Sequence, residues 1–334
     1  MQKTLVIDRL TTDFCHASTV VNLPDGGLMC CWFGGRREGS SDVAIYGSRW
    51  DGRRWSSPRR LADGAEANWN PVLFYRGDGR LQLFYKEGQA IADWRTLYMI
   101  SADNGLTWSG PAELVPGDKS GGRGPVRNKP IRLASGRVIA GASVERGLWT
   151  AFADYSDDGC ETWTKSNAIA VEGLDYTAGE KTAESSIEVS QQSFYGRGVI
   201  QPSLWESEPG RVHMLLRSSE GRVYRSDSSD GGRSWCGACA TELPNNNSGL
   251  DLAQAGGCLY LACNPVGEAW GRRSPLTLFK SADNGQSWRK LLDLETGEGE
   301  YSYPAVIGRG GGLCITYTLN RRNIACVLLD KDEI

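Results

Sequence analysis

Short apolar or alternating runs recur along the whole chain, at 43–46, 81–85, 137–140, 212–216 and 315–317. Asn-Gly, Asp-Gly and Gly-Asp pairs separate them, and no stretch longer than about twelve residues keeps a clean 3.6-residue period. Strands of this length bounded by tight turns predict an all-β chain: a sandwich, a barrel or a propeller.

Self-comparison decides among these. Ser101-Ala-Asp103-Asn-Gly105-Leu-Thr-Trp108 recurs as Ser281-Ala-Asp283-Asn-Gly285-Gln-Ser-Trp288 and as Ser228-Ser-Asp230-Gly-Gly232-Arg-Ser-Trp235. Two variants carry Cys160 at the Gly position (156–163) and Trp50 at the Asp position (48–55). The opening serines are 53, 55, 72 and 53 residues apart, a period that fits about six units into 334 residues. In each box the Asp accepts hydrogen bonds from a tight turn, the Gly supplies a positive φ, and the Trp plugs the gap between neighbouring sheets. A second repeat opens an apolar run with X-Pro: Asn70-Pro71, Lys129-Pro130, Gln201-Pro202 and Tyr303-Pro304, with degenerate copies at 16–20 and 248–252. Proline is tolerated where a first strand needs no ladder donor. The prediction is one domain over 1–334: a six-bladed β-propeller with four antiparallel strands per blade. Entry residues of the inner strands then form a ring at one mouth of the axis: His16, Asn70, Lys129, Gln201, Asn247 and Tyr301 or Tyr303.

Charge narrows the partners. With 37 basic and 40 acidic side chains the net charge is -3, which argues against a dedicated nucleic-acid binder. No window of 18 apolar residues exists to span a membrane, and the first residues carry no apolar leader segment, so the expected location is cytoplasmic. The ten cysteines are irregularly spaced and several sit in apolar runs, so reduced, packed thiols are expected. Cys236-Gly-Ala-Cys239 lacks a second ligand pair at zinc spacing, and no metal or cofactor is expected.

The S-x-D-x-G-x-x-W boxes at this period resemble the Asp-box (BNR) repeats of the sialidase superfamily, whose fold is a six-bladed β-propeller. That resemblance implies a clamp of arginines on a substrate carboxylate, a Tyr nucleophile with a Glu partner, and an Asp acid/base on a loop. Arg217, in Leu-Leu-Arg-Ser-Ser, and Arg273, after Asn264-Pro265, match two clamp positions; Tyr301 in Glu-Tyr-Ser matches the nucleophile. The sequence departs from the pattern at two places. His16 stands nearest the first clamp arginine, and Gln201 stands where the Tyr-activating Glu is expected, although an amide cannot take a proton. The loop 34–42 offers Glu38 or Asp42 as acid/base and Arg37 as a substrate contact. Asn70, Lys129 and Asn247 are further candidate sugar contacts, and Trp69 a stacking surface. The resemblance implies a sialidase-like exo-glycosidase acting on a terminal acidic sugar. The two departures favour an alternative, a lyase acting on a uronate with His16 and Tyr301, whose roles need no Glu. A third reading is a propeller that binds acidic glycans without turnover.

Overall fold

The computed structural model describes the chain except for residues 77, 121 and 185–190, and the described residues are almost wholly β-strand and turn. Helix is confined among them to single 3-10 turns at Ile91–Asp93, Gln191–Tyr195 and Lys331–Glu333. Among the described residues no helix is long and apolar enough to cross a membrane.

Strands pair with their sequence neighbours in antiparallel sets of four. The first set is Phe14–Asn22, Leu28–Gly35, Ala44–Trp50 and Arg59–Ala62; the second is Asn68–Tyr75, Leu81–Glu87, Arg95–Ser101 and Ala112–Glu113. The third (Ile131–Arg132, Val138–Val144, Leu148–Ser156, Thr164–Lys165) meets the fourth (Arg197–Glu208, Arg211–Ser218, Arg222–Ser228, Cys239–Pro244) through a two-residue parallel contact of Leu148 and Trp149 with Arg197 and Gly198. The fifth is Asp251–Ala255, Cys258–Cys263, Leu276–Ser281 and Arg289–Glu295. The last three strands, Tyr301–Arg309, Gly312–Leu319 and Asn323–Leu329, take Gln2–Leu5 from the other end of the chain as their fourth.

The boxes act as the turn chemistry requires. In the second set Thr107 N donates to Asp103 Oδ1 at 2.8 Å and Gly105 N to Ser101 Oγ at 2.8 Å. The same bonds recur around Asp158, Asp230 and Asp283. Gly105, Gly232 and Gly285 hold φ between +73° and +83°, and Cys160 adopts φ +76° in the same place. Each box Trp then joins an apolar cluster shared by two sheets. Trp163 meets Phe84 edge-on at 6.0 Å, with Val72 and Phe74 of the second sheet and Val138 and Ala140 of the third around them. All ten cysteines are free thiols.

Candidate active site

The site begins with a break in the ladder. Pairing of the inner strands slips between His16 and Thr19, Trp69 and Val72, Ile200 and Ser203, and Ser302 and Ala305. In the last three of these slips a proline, which has no N–H for the ladder, stands at the bulge, and the residue before it is re-aimed. Asn70, Gln201 and Tyr303, each preceding a proline, sit at φ +44°, +55° and +53°; Ala17 and Asn247 are left-handed at the degenerate copies. Such φ values are costly outside glycine and persist only where the surroundings enforce them.

Asn70, Gln201 and Tyr303 line one cavity with His16, Glu38, Glu145 and Arg217, walled by Trp69, Trp94, Trp149 and Trp270. Arg217 Nη1 donates to Tyr303 Oη at 2.7 Å and to Gln201 Oε1 at 3.1 Å, while its Nε donates to Asn247 Oδ1 at 2.8 Å. Gln201 passes the chain on, its Nε2 donating to Glu145 Oε1 at 3.1 Å. Below this, Arg127, Arg217 and Arg273 place their guanidinium carbons 5.2, 5.6 and 5.5 Å from the Tyr303 ring centre. The His16 ring lies 4.2 Å from the same ring. Glu300 neutralises Arg273 at 2.7 Å and Arg321 at 2.9 Å, and Arg321 also pairs with Glu38.

This arrangement sets the charges. Burial, then the positive charges of Arg321, Arg273, Arg127 and Arg217, push the His16 pKa well below its ordinary value, so the ring is neutral. Burial works to raise the Glu300 carboxyl, but Arg273 and Arg321 outweigh it and leave it at about 2. Glu145 is held above its ordinary value by burial, which the positive charge of Arg217 and its bonds to Gln201 and Ser143 offset only in part. Arg127 and Arg217 are buried, and among the described residues their partners are neutral: Asn128 and the Leu250 carbonyl for the first, Asn247, Gln201 and Tyr303 for the second. Two buried cations without carboxylates leave the site short of negative charge.

The BNR repeat-like domain pattern matches residues 26–315, most of the chain. The chain belongs to this family. No curated protein sequence matches it. Among solved structures, the Hadza microbial sialidase Hz136 is 16% identical with a TM-score of 0.74, over 97% of this chain and 67% of that one. A Dyadobacter fermentans protein of unknown function is 14% identical with a TM-score of 0.76, over 98% and 97%. The intramolecular trans-sialidase of Ruminococcus gnavus is 12% identical with a TM-score of 0.71, over 99% and 98%. At these identities the likeness is one of fold.

In this BNR-repeat protein the cavity gathers His16, Glu38, Trp69, Asn70, Gln201, Arg217 and Tyr303 from the residues the sequence nominates. The others stand elsewhere. Tyr301 is packed with Leu294, Ile315 and Tyr317, its hydroxyl on the Glu298 carbonyl at 3.2 Å, because the slip after Ser302 brings Tyr303 to the cavity instead. Arg273 is buried against Glu300 beneath Tyr303, so the expected two-arginine clamp reduces to Arg217 at the cavity wall. Lys129 pairs with Asp251 at 2.8 Å, and Asn247 orients Arg217. Asp42 is exposed and bound to Arg36 at 3.0 Å; Arg37 is exposed. Gln201, with both ends of its amide engaged, positions its neighbours rather than reacting. Sequence reasoning missed Glu145. One signal pointed to it: second strands end at or near Glu38, Glu145, Arg217 and Arg321, so that position recurs from sheet to sheet as a source of charged site residues. Among the described residues no three His, Cys, Asp or Glu side chains stand close enough to hold a metal.

Proposed function

We propose that the six four-stranded sets are the blades of one propeller over 1–334, with the cavity at its axial mouth, and that the protein is an exo-glycosidase removing a terminal acidic sugar. The observation that carries this is Arg217, a buried cation at the cavity wall whose hydrogen-bond partners among the described residues are all neutral, beside a tyrosine and a carboxyl group. A substrate carboxylate supplies the missing counter-charge as a charge-assisted pair. The indoles of Trp69, Trp94, Trp149 and Trp270 offer apolar surfaces to the sugar ring and exclude water. Glu145, whose raised pKa favours the protonated form, gives its proton to the leaving oxygen. Tyr303 Oη, accepting the Arg217 N–H, keeps a lone pair that stabilises the cationic anomeric carbon; water then attacks that carbon, its proton passing to the Glu145 carboxylate left by the first step, which restores the acid. Gln201 couples Arg217 to Glu145 through the two ends of its amide.

One observation favours a second reading, a uronate lyase. His16 is neutral, buried and without a partner at Nδ1 among the described residues, and it packs on Tyr303. There Arg217 neutralises the uronate, His16 takes the α-proton and Tyr303 protonates the leaving oxygen.

The test offers 4-methylumbelliferyl glycosides of sialic and uronic acids, read by fluorescence, and uronate-ended oligosaccharides, read by the ultraviolet absorbance of an unsaturated product. Fluorescence that falls by about 10²–10⁴-fold in Glu145→Gln supports the hydrolase. Ultraviolet product without fluorescence supports the lyase. Neither signal from folded protein overturns both and leaves glycan binding without turnover.

A further inference from the structure

Away from the axial cavity, on the face of the fourth sheet that meets the fifth, a second polar constellation serves no step described above. Trp205, His213 and Asp227 are cross-strand partners in register on three adjacent strands, with the Trp205 ring stacked on His213 at 4.9 Å and 25°. Two residues beyond Trp205 the ladder slips between Glu206 and Glu208, and the extra residue is Ser207, exposed to solvent. Its Oγ stands 2.7 Å from His213 Nε2, while His213 Nδ1 stands 2.5 Å from Asp227 Oδ1. With Asp227 accepting the Nδ1 proton, Nε2 is the acceptor for the serine hydroxyl.

Two neighbours complete the geometry. Arg225 Nε donates to the same Asp227 oxygen at 2.9 Å, its Nη1 donates to the Asn284 carbonyl at 2.9 Å, and its Nη2 lies 3.0 Å from His213 Nδ1. Burial acts to raise the Asp227 carboxyl, but the bonds from His213 and Arg225 outweigh it and hold it below its ordinary value, so it is a carboxylate at neutral pH. Asn284, in the box loop of the fifth sheet, accepts the Trp205 indole N–H at Oδ1 at 2.7 Å. That bond fixes the amide so that Nδ2 faces the histidine edge, 3.4 Å from Nε2.

We propose that Ser207, His213 and Asp227 form a second, acyl-transfer site that cleaves small, exposed esters, with Asn284 Nδ2 as oxyanion donor. The roles follow from position rather than chain order. Ser207 Oγ attacks the ester carbonyl carbon as its proton passes to His213 Nε2, and Asn284 Nδ2 donates to the oxyanion. Collapse breaks the acyl C–O bond, and the departing alkoxide leaves as alcohol with the proton from His213. Water then attacks the acyl-serine with the same histidine as base, releasing the carboxylic acid and restoring Ser207. Ester and water become acid and alcohol, and nothing else is consumed. The bulge is the device that brings the serine to the histidine, as bulges beside reacting groups do.

The experiment treats the full chain with a fluorophosphonate probe and maps the adduct by peptide mass, with p-nitrophenyl acetate hydrolysis as a second readout. The expected result is an adduct on Ser207, abolished in Ser207→Ala, an exposed change that leaves the core untouched. Asn284→Gly, which keeps the positive φ that position 284 needs, slows labelling by about 10²-fold. An adduct elsewhere, labelling that survives Ser207→Ala, or none on folded wild-type protein overturns the proposal.

Discussion

His16 shows how far one side chain departs from its solution chemistry. An exposed histidine titrates near pH 6.5, but this one is buried among four guanidinium groups and stays neutral. A neutral ring has a nitrogen free to take a proton and no imidazolium proton to give. The pH profile of turnover therefore lacks a histidine limb, and the controlling group is Glu145. A general acid works only while protonated, so kcat is expected to hold at acidic pH and to fall as pH rises through the raised pKa of Glu145. The same shift has a stability sign. The folded state binds this proton more tightly than the unfolded chain, so stability is gained as pH falls through the folded value and lost above it. Glu145→Gln is thus expected to melt at or above the wild-type temperature at neutral pH while losing turnover. A lower melting temperature would show that the carboxylate is needed for the fold instead.

At the scale of the element, the box hairpins carry a common vulnerability to acid. Hydrogen bonds from Thr107 and Ser101 hold Asp103 down at about 2, against an ordinary 3.8, and Asp158 and Asp283 are lowered further by the same bonds. Each depressed carboxyl contributes stability that is complete above the unfolded value and is lost as pH falls towards the folded one. Denaturant midpoints are expected to drop between about pH 4 and pH 2. Asp230→Ala, which removes the bonds from Ser228, Arg233 and Ser234, is expected to cost about 1–2 kcal/mol by urea unfolding. An unchanged midpoint would mean the turn is held by its Trp plug alone.

For the whole molecule the decisive join lies between the chain ends. Gln2–Leu5 pairs with Asn323–Leu329, and Val6 and Ile7 are buried beside Trp32 and Trp55. Removing residues 1–8 bares an edge strand and an apolar seam. The expected outcome is a lower melting temperature and concentration-dependent association; a shortened chain that melts like the full one would show that this strand contributes nothing to closure.

The sequence by itself determined the recurring hairpins, because turn chemistry is local: an Asp, a residue tolerating positive φ and a Trp within eight positions specify a hairpin wherever they occur. It also placed His16, Asn70 and Gln201 in one neighbourhood, since the X-Pro repeat marks where inner strands begin, while Arg217 was named only by its resemblance to a clamp position. The tertiary structure alone decided the rest. Tyr301 and Tyr303 are both plausible from the motif, and the slip between Ser302 and Ala305 chooses the second by turning it left-handed. Arg273 matches a clamp position in sequence yet is consumed by Glu300. Glu145 lies 56 residues from Gln201 and reaches it only because the third and fourth sheets are neighbours. Local pattern fixes backbone elements; which side chains share a low-dielectric pocket, and which charges go uncompensated there, depends on contacts between residues far apart in the chain.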